Sequence, residues 1–148
     1  MASRTLEAVG RGDIARRVQA APDGASFGVL DPFAGSCNGL YWVLRHVPTA
    51  TARGFELDPT VFALTSRNLA LLDRPIERIE GNYREQFERH RFAAHHHLVV
   101  FLAPPWADAL DATTGLDLGR TRPPIAEIVA DMEPGLSCQS DPLRRGGA

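Results

Sequence analysis

An α/β domain built on a parallel sheet is the fold class the sequence predicts, on three observations. Short apolar runs alternate with stretches of helical period, the pattern of strand–helix–strand units. The runs end on acidic or small residues followed by turn formers. The clearest run, Leu98–Ala103 (LVVFLA), is apolar at every position, which fits a strand covered on both faces. The chain has 148 residues, enough for one such domain and its core.

The elements follow in order. Asp13 to Ala21 reads as a short helix with Asp13 as N-cap and Ile14 and Val18 on one face; Pro22-Asp23-Gly24 ends it. Phe27–Leu30, closing on Asp31, reads as a buried strand, and the loop Pro32 to Gly39 leads into an apolar helix, Leu40 to Val47. Gly54–Leu57 is a second short strand. Asp58 and Pro59, as N-cap and first helical residue, open a helix to Leu72. Ile76–Glu80 is a third strand, and Tyr83 to Phe92 a helix with Tyr83 and Phe87 four apart on one face. Leu98–Ala103 is the fourth strand. Beyond Trp106 the alternation stops until Pro123-Pro124 open a helix marked by Ile125, Ile128, Val129 and Met132. Residues 133–148 hold no apolar run able to form a strand and end in CQSDPLRRGGA, so a domain over 1–132 and a disordered tail over 133–148 are expected.

Composition narrows the function classes. With 44% apolar and 23% charged residues the chain is globular, and a formal charge of −2 excludes binding nucleic acid through a strongly basic field alone. No apolar stretch is long enough to cross a bilayer, and the N-terminus lacks the apolar core of a secretory signal, so no membrane partner and a cytoplasmic location are expected. Cys37 and Cys138 are far apart and outside any CxxC spacing, which indicates neither a zinc site nor a disulfide framework. All 16 basic residues are Arg, which excludes lysine Schiff-base chemistry and a Walker-type phosphate lysine. The Arg and Ala bias points to a GC-rich bacterial genome. Adjacent histidines His95, His96 and His97 point to alternate faces of an extended segment and read as a solvated loop, so no metal site is expected.

Chemistry-bearing residues gather at three strand ends, which a parallel sheet places along one edge, where open α/β sheets bind ligands. The first is Asp31-Pro32-Phe33-Ala34-Gly35-Ser36-Cys37-Asn38-Gly39, an acid followed by a loop of small residues turning into a helix. The second is Glu56, placed about 20 residues beyond Gly35, the spacing at which a carboxylate accepts from both ribose hydroxyls. The third is Ala103-Pro104-Pro105-Trp106.

Together these resemble the class I S-adenosylmethionine-dependent methyltransferases, and within them the amino-methyltransferase branch that carries an (Asp/Asn/Ser)-Pro-Pro-aromatic motif. DPFAGSCNG resembles that family's cofactor loop, GFELDP its ribose-binding acidic turn, and VVFLAPPW its catalytic motif. VVFLAPPW and GLDLGRTRPPIAEIV look most like bacterial relatives of the cap-type RNA guanine-N2 methyltransferases, over a span from Val29 to Met132. The resemblance implies a Rossmann-like doubly wound sheet. It implies S-adenosylmethionine as cofactor, its amino-acid end held by Asp31 and the backbone of Phe33, Ala34 and Gly35, its ribose by Glu56. Leu57 is then expected to pack on the adenine and Asn82 to accept from the adenine amine. Trp106 is expected to stack on a planar substrate ring, with the Pro104 carbonyl, which local N–H groups cannot claim, accepting from the substrate's exocyclic amine. Two positions depart from the family pattern: Cys37 stands at the central Gly of the loop, and Ala103 at the Asp, Asn or Ser.

The implied reaction is N-methylation of an exocyclic amine on a nucleobase in RNA, with a small planar amine or nucleoside as the alternative substrate. An RNA surface would need Arg84, Arg89, Arg91, Arg120 and Arg122 on one side. The family's sheet has seven strands and only four are found here. The sequence therefore reads as truncated after the fourth strand, which becomes an exposed edge able to pair with a second copy in a homodimer. The rival reading is a truncated cofactor-binding domain without activity.

Overall fold

In the computed structural model, which describes residues 26–72, 75–89, 97–106 and 109–137, four parallel strands form one sheet in the order β3-β2-β1-β4. The strands are β1 (Phe27–Asp31), β2 (Thr51–Glu56), β3 (Ile76–Glu80) and β4 (His97–Val100). Helices α1 (Asn38–His46), α2 (Pro59–Leu69), α3 (Tyr83–Arg89) and α4 (Ile125–Ser137) join or follow them. The expected helix over Asp13–Ala21, His95, His96 and the segment 138–148 lie outside the described residues.

Alternation of side chains across the strands sorts the core into two layers. Phe27 and Val29 of β1 and Ala52 of β2 pack with Leu40 and Leu44 of α1 and Leu69 of α2. Leu30 and Phe55 point the other way and pack with Tyr83 and Phe87 of α3 and Ile128 and Met132 of α4. Helices on both faces make the sheet doubly wound. The reversal of strand order between β1 and β4 creates the crevice at which such sheets bind ligands. No helix among the described residues is long and apolar enough to cross a membrane.

β1 is buried along its whole length because it has a neighbour on each side and helices on each face. β2 begins at Thr51, ahead of the expected Gly54, because its first half is paired in register with β1 from Gly28↔Thr51 onward. β4 corrects the expectation of a six-residue strand covered on both faces. Ladder pairing ends at Val100, and all four residues are half-buried, since β1 is the one neighbour of β4 among the described strands. The Phe101 N–H still donates to the Leu30 carbonyl at 2.8 Å, after which the chain leaves the sheet. α4 continues to Ser137, so residues 133–137 are helical where a tail was expected.

Segment 109–121 had no counterpart in the sequence reading. It holds a two-stranded antiparallel hairpin, β5 (Leu110–Asp111) and β6 (Gly115–Leu116), then a 3-10 turn, Leu118–Arg120. Asp111 Oδ1 accepts from the N–H groups of Thr113 and Thr114 at 2.8 Å each, and Gly115 takes φ 85°.

Close contact at Gly54 locks the β1 loop onto β2. A Cβ built there would lie 2.5 Å from the Ala34 Cβ and 3.0 Å from Leu40 Cδ1. Gly54→Ala is therefore expected to destabilise the fold by about 1–3 kcal/mol through overpacking, measured by urea denaturation.

Candidate functional site

Three loops meet at the carboxyl edge of the sheet, and Glu56 joins them. As the last residue of β2 it directs its side chain to the α1–α2 side, where Oε2 accepts from the Gly35 N–H and Oε1 from the Asp58 N–H, both at 2.9 Å. Its backbone carbonyl accepts from the Gly81 N–H at 2.8 Å. One residue thus fixes the loop after β1, the start of α2 and the turn after β3. Asp58 caps α2, with Oδ1 accepting from Thr60 and Val61.

The β1 loop presents acceptors. Its Phe33 N–H donates to Asp31 Oδ1 at 2.9 Å, its Ala34 N–H to the Phe55 carbonyl at 2.8 Å, and its Gly35 N–H to Glu56. The Cys37 N–H is turned back to the Ala34 carbonyl. The amides of Phe33, Ala34 and Gly35 are therefore engaged inside the protein. The Phe33 carbonyl and the remaining capacity of Asp31 and Glu56 are open acceptors, and beside them the first amides of α1 carry no side-chain cap. The uncapped amides suit an anionic group and the acceptors a cationic one.

Asp31 shows the latter preference. It is 3% exposed, accepts one backbone N–H and has no cationic partner among the described residues. Burial, with a contribution from the negative Glu56, raises its pKa from 3.8 to about 6 against the lowering effect of the Phe33 N–H. Glu80 stands beside Glu56 in the β2–β3 register and adds negative charge at this edge.

The Cys37 side chain is buried in the core beneath α1, with its backbone in the left-handed conformation at φ 56°, and burial, followed by the nearby charge of Asp31, pushes its thiol up to about 11. Gly35, at φ 49°, makes the bend before it. Thr65 of α2 donates to the Gly35 carbonyl at 2.8 Å and secures the loop from above.

The remaining expected residues lie along the same edge. Leu57 is 68% exposed next to Glu56, an apolar surface facing solvent. Asn82 Oδ1 accepts from the Arg84 N–H at 3.0 Å, so this carbonyl oxygen caps α3 and keeps one lone pair for another donor. Ala103 is half-buried, Pro104 fully buried, and Pro105 and Trp106 are exposed. The Pro104 carbonyl has no partner among the described residues. Its neighbours are held in place, the Trp106 carbonyl by the Ala109 N–H at 2.7 Å and the Pro105 carbonyl by a long contact of 3.5 Å from the Arg122 N–H. The hairpin segment thus braces the Pro-Pro-Trp turn, a role the sequence reading missed; the Asp111-to-Gly115 turn signal could have found it.

One of the arginines expected to form an RNA surface is already paired within the fold. Arg84 is committed to α4, its Nε 2.6 Å from Asp131 and its Nη2 paired with Glu127. Arg120 and Arg122 are exposed, and Arg91 lies outside the described residues.

Arg78 is a further charged group not foreseen from the sequence. It sits on β3 in register with Gly54 and Asp31, on the α1–α2 face, with its guanidinium carbon 5.5 Å from the centre of the Phe62 ring. Its Nε and Nη1 are buried without a hydrogen-bond partner. An arginine at the middle of IERIE, between two isoleucines, was the available signal.

Two stability measurements check this electrostatic picture. Between pH 3.8 and about 6 the native state holds a proton on Asp31 that the unfolded chain releases, so stability falls as pH rises through this window. Asp31→Asn is expected to raise stability at pH 7 by about 2–3 kcal/mol and to give no gain below pH 4, read from denaturation curves at each pH. Arg78→Met keeps the length of the side chain and removes the unpaired donors. It is expected to raise stability by about 1 kcal/mol in the same assay.

No family model matches the chain, and no curated protein matches it.

Proposed function

We propose that the protein is an S-adenosylmethionine-dependent methyltransferase that methylates an exocyclic amine of a nucleobase in RNA. The observation that carries the reading is buried Asp31 at the end of β1, lacking a cationic partner among the described residues, with Glu56 locked beside it. A ligand with an ammonium group, a ribose and an adenine fits this edge group by group. Asp31 and the Phe33 carbonyl would hold the ammonium and Glu56 would accept from the ribose hydroxyls. Leu57 would cover the adenine, and Asn82 would accept from its amine through the free lone pair. In this reading the loop contributes the Asp31 carboxylate and the Phe33 carbonyl, while the amides of Phe33, Ala34 and Gly35 stay engaged within the protein.

When bound, the cofactor supplies an electrophilic methyl group on a sulfonium. The chain's own contribution is placement. Trp106, 40% exposed, offers its ring face to a planar base. The Pro104 carbonyl, buried with its residue in this structure, would accept an N–H of the exocyclic amine once the turn is opened by the substrate, and so turn the nitrogen lone pair toward the methyl carbon. The second amine proton passes to solvent as the N–C bond forms and the C–S bond breaks. Orientation supplies most of the acceleration, and no side chain needs to act as general base. Ala103 contributes no acceptor, so the amine is held by the Pro104 carbonyl alone. The commitment of Arg84 to Asp131 and Glu127 keeps a nucleoside or small planar amine as the second reading of the substrate.

Calorimetric titration with S-adenosylmethionine and with S-adenosylhomocysteine tests the cofactor. Saturable binding is expected, weakened about tenfold or more by Glu56→Ala; a folded chain that binds neither compound at millimolar concentration refutes the reading. In a methyl-transfer assay on bulk RNA, Trp106→Ala is expected to abolish measurable turnover. Ala103→Asn, which restores a side-chain acceptor, is expected to raise kcat/KM about threefold to tenfold.

A further inference from the structure

The outer face of α1 carries an aromatic and basic stripe that the proposed chemistry does not use. Trp42 is 48% exposed in the middle of the helix. The His46 ring, one turn further on, stacks near it at 6.2 Å and 24° between planes. The Arg45 guanidinium lies 5.5 Å from the centre of the indole, and Tyr41 meets the indole edge-on at 5.6 Å. One turn before Trp42 is Gly39, whose missing side chain leaves room for the Phe101 ring; a Cβ there would lie 3.1 Å from Phe101 Cε1. Phe101 is 40% exposed and stands three residues before Pro104. The stripe therefore starts beside the Pro-Pro-Trp turn and runs down α1 in steps of about 5 Å, one helical turn.

Charge distinguishes this face from the rest of an acidic chain. No Asp or Glu occurs between Asp31 and Glu56, a span that holds all of α1 with Arg45 and His46; Arg53, on the opposite face of β2, is paired with Glu77. Exposed rings that accept a stacked base, beside cations that meet phosphates and without nearby carboxylates, are the elements with which proteins hold single-stranded nucleic acid.

We propose that this face of α1, continued by Phe101, is the track along which a single-stranded RNA runs from the site. Trp42 stacks a base on the exposed part of its indole, and Arg45 and His46 meet the backbone phosphates. The proposal rests on the functional reading above for the choice of nucleic acid as occupant.

The test uses the full chain and a fluorescein-labelled oligouridine of about ten nucleotides, followed by anisotropy across a salt series. Binding at low salt is expected. Trp42→Ala should weaken it about tenfold, and Trp42→Tyr should restore most of the loss. Arg45→Gln should weaken it and reduce the salt slope by about one. Cofactor titration of the same variants should match the unsubstituted chain, which also shows that they are folded. Unchanged affinity in both Trp42→Ala and Arg45→Gln overturns the track. Absence of oligouridine binding by a chain that still binds the cofactor overturns it as well and leaves the methyltransferase reading intact. Oligouridine held through Trp42 by a chain that binds no cofactor supports the track and overturns the methyltransferase reading instead.

Discussion

The Glu56 carboxylate is the contact on which the carboxyl edge of the sheet depends. Its two oxygens hold the Gly35 and Asp58 amides, while its own carbonyl holds Gly81, so the ends of three strands are tied through one residue. A carboxylate is suited to this because it accepts along several directions at once and binds amide donors more strongly than a neutral group does. The same residue sets the sign of the site. By drawing the Gly35 amide inward it removes one donor from the loop, and its negative charge adds to the burial that keeps neighbouring Asp31 protonated to about pH 6.

The two faces of the sheet are secured differently. On the α1–α2 side, small residues at Ala34 and Gly54 bring the loop into direct contact with the strand, and Thr65 holds it from the helix. On the α3–α4 side, polar groups carry the junction at its margin. The Tyr83 hydroxyl donates to Asp131 at 2.8 Å, and Arg84 reaches Asp131 and Glu127, so two helices distant in sequence are linked around the apolar contact of Phe87 with Ile128 and Met132. Removal of Asp131 from water is incomplete, and its pairing with Arg84 holds its carboxyl below the usual carboxylate range.

Strands whose burial is complete or whose ends are marked by turns were legible in the sequence. β1 and β3 have the limits their residues indicate, because Asp31-Pro32 and Gly81-Asn82 interrupt the apolar pattern. β2 is longer than its apolar core, since Thr51 to Arg53 pair through backbone atoms that any residue supplies. β4 is shorter than its apolar run, since an unbroken run records hydrophobicity and not the number of neighbouring strands. At the site, the acids at the strand ends could be read from position alone. The direction in which the loop amides point could not, because it follows from hydrogen bonds to Phe55 and Glu56, both about 20 residues away along the chain. Arg78 escaped notice for a similar reason: its burial depends on Phe62 and the helix above it.

An edge lined with Asp31, Glu56 and Glu80 has a consequence for turnover under the proposed chemistry. The ligand arrives with positive centres at both its ammonium and its sulfur, and it departs with the sulfur neutral. The carboxylates therefore attract the spent molecule less than the fresh one, by Coulomb attraction alone. Methyl transfer would then loosen the grip on its own by-product, and the charge of three strand ends would give the cycle its direction.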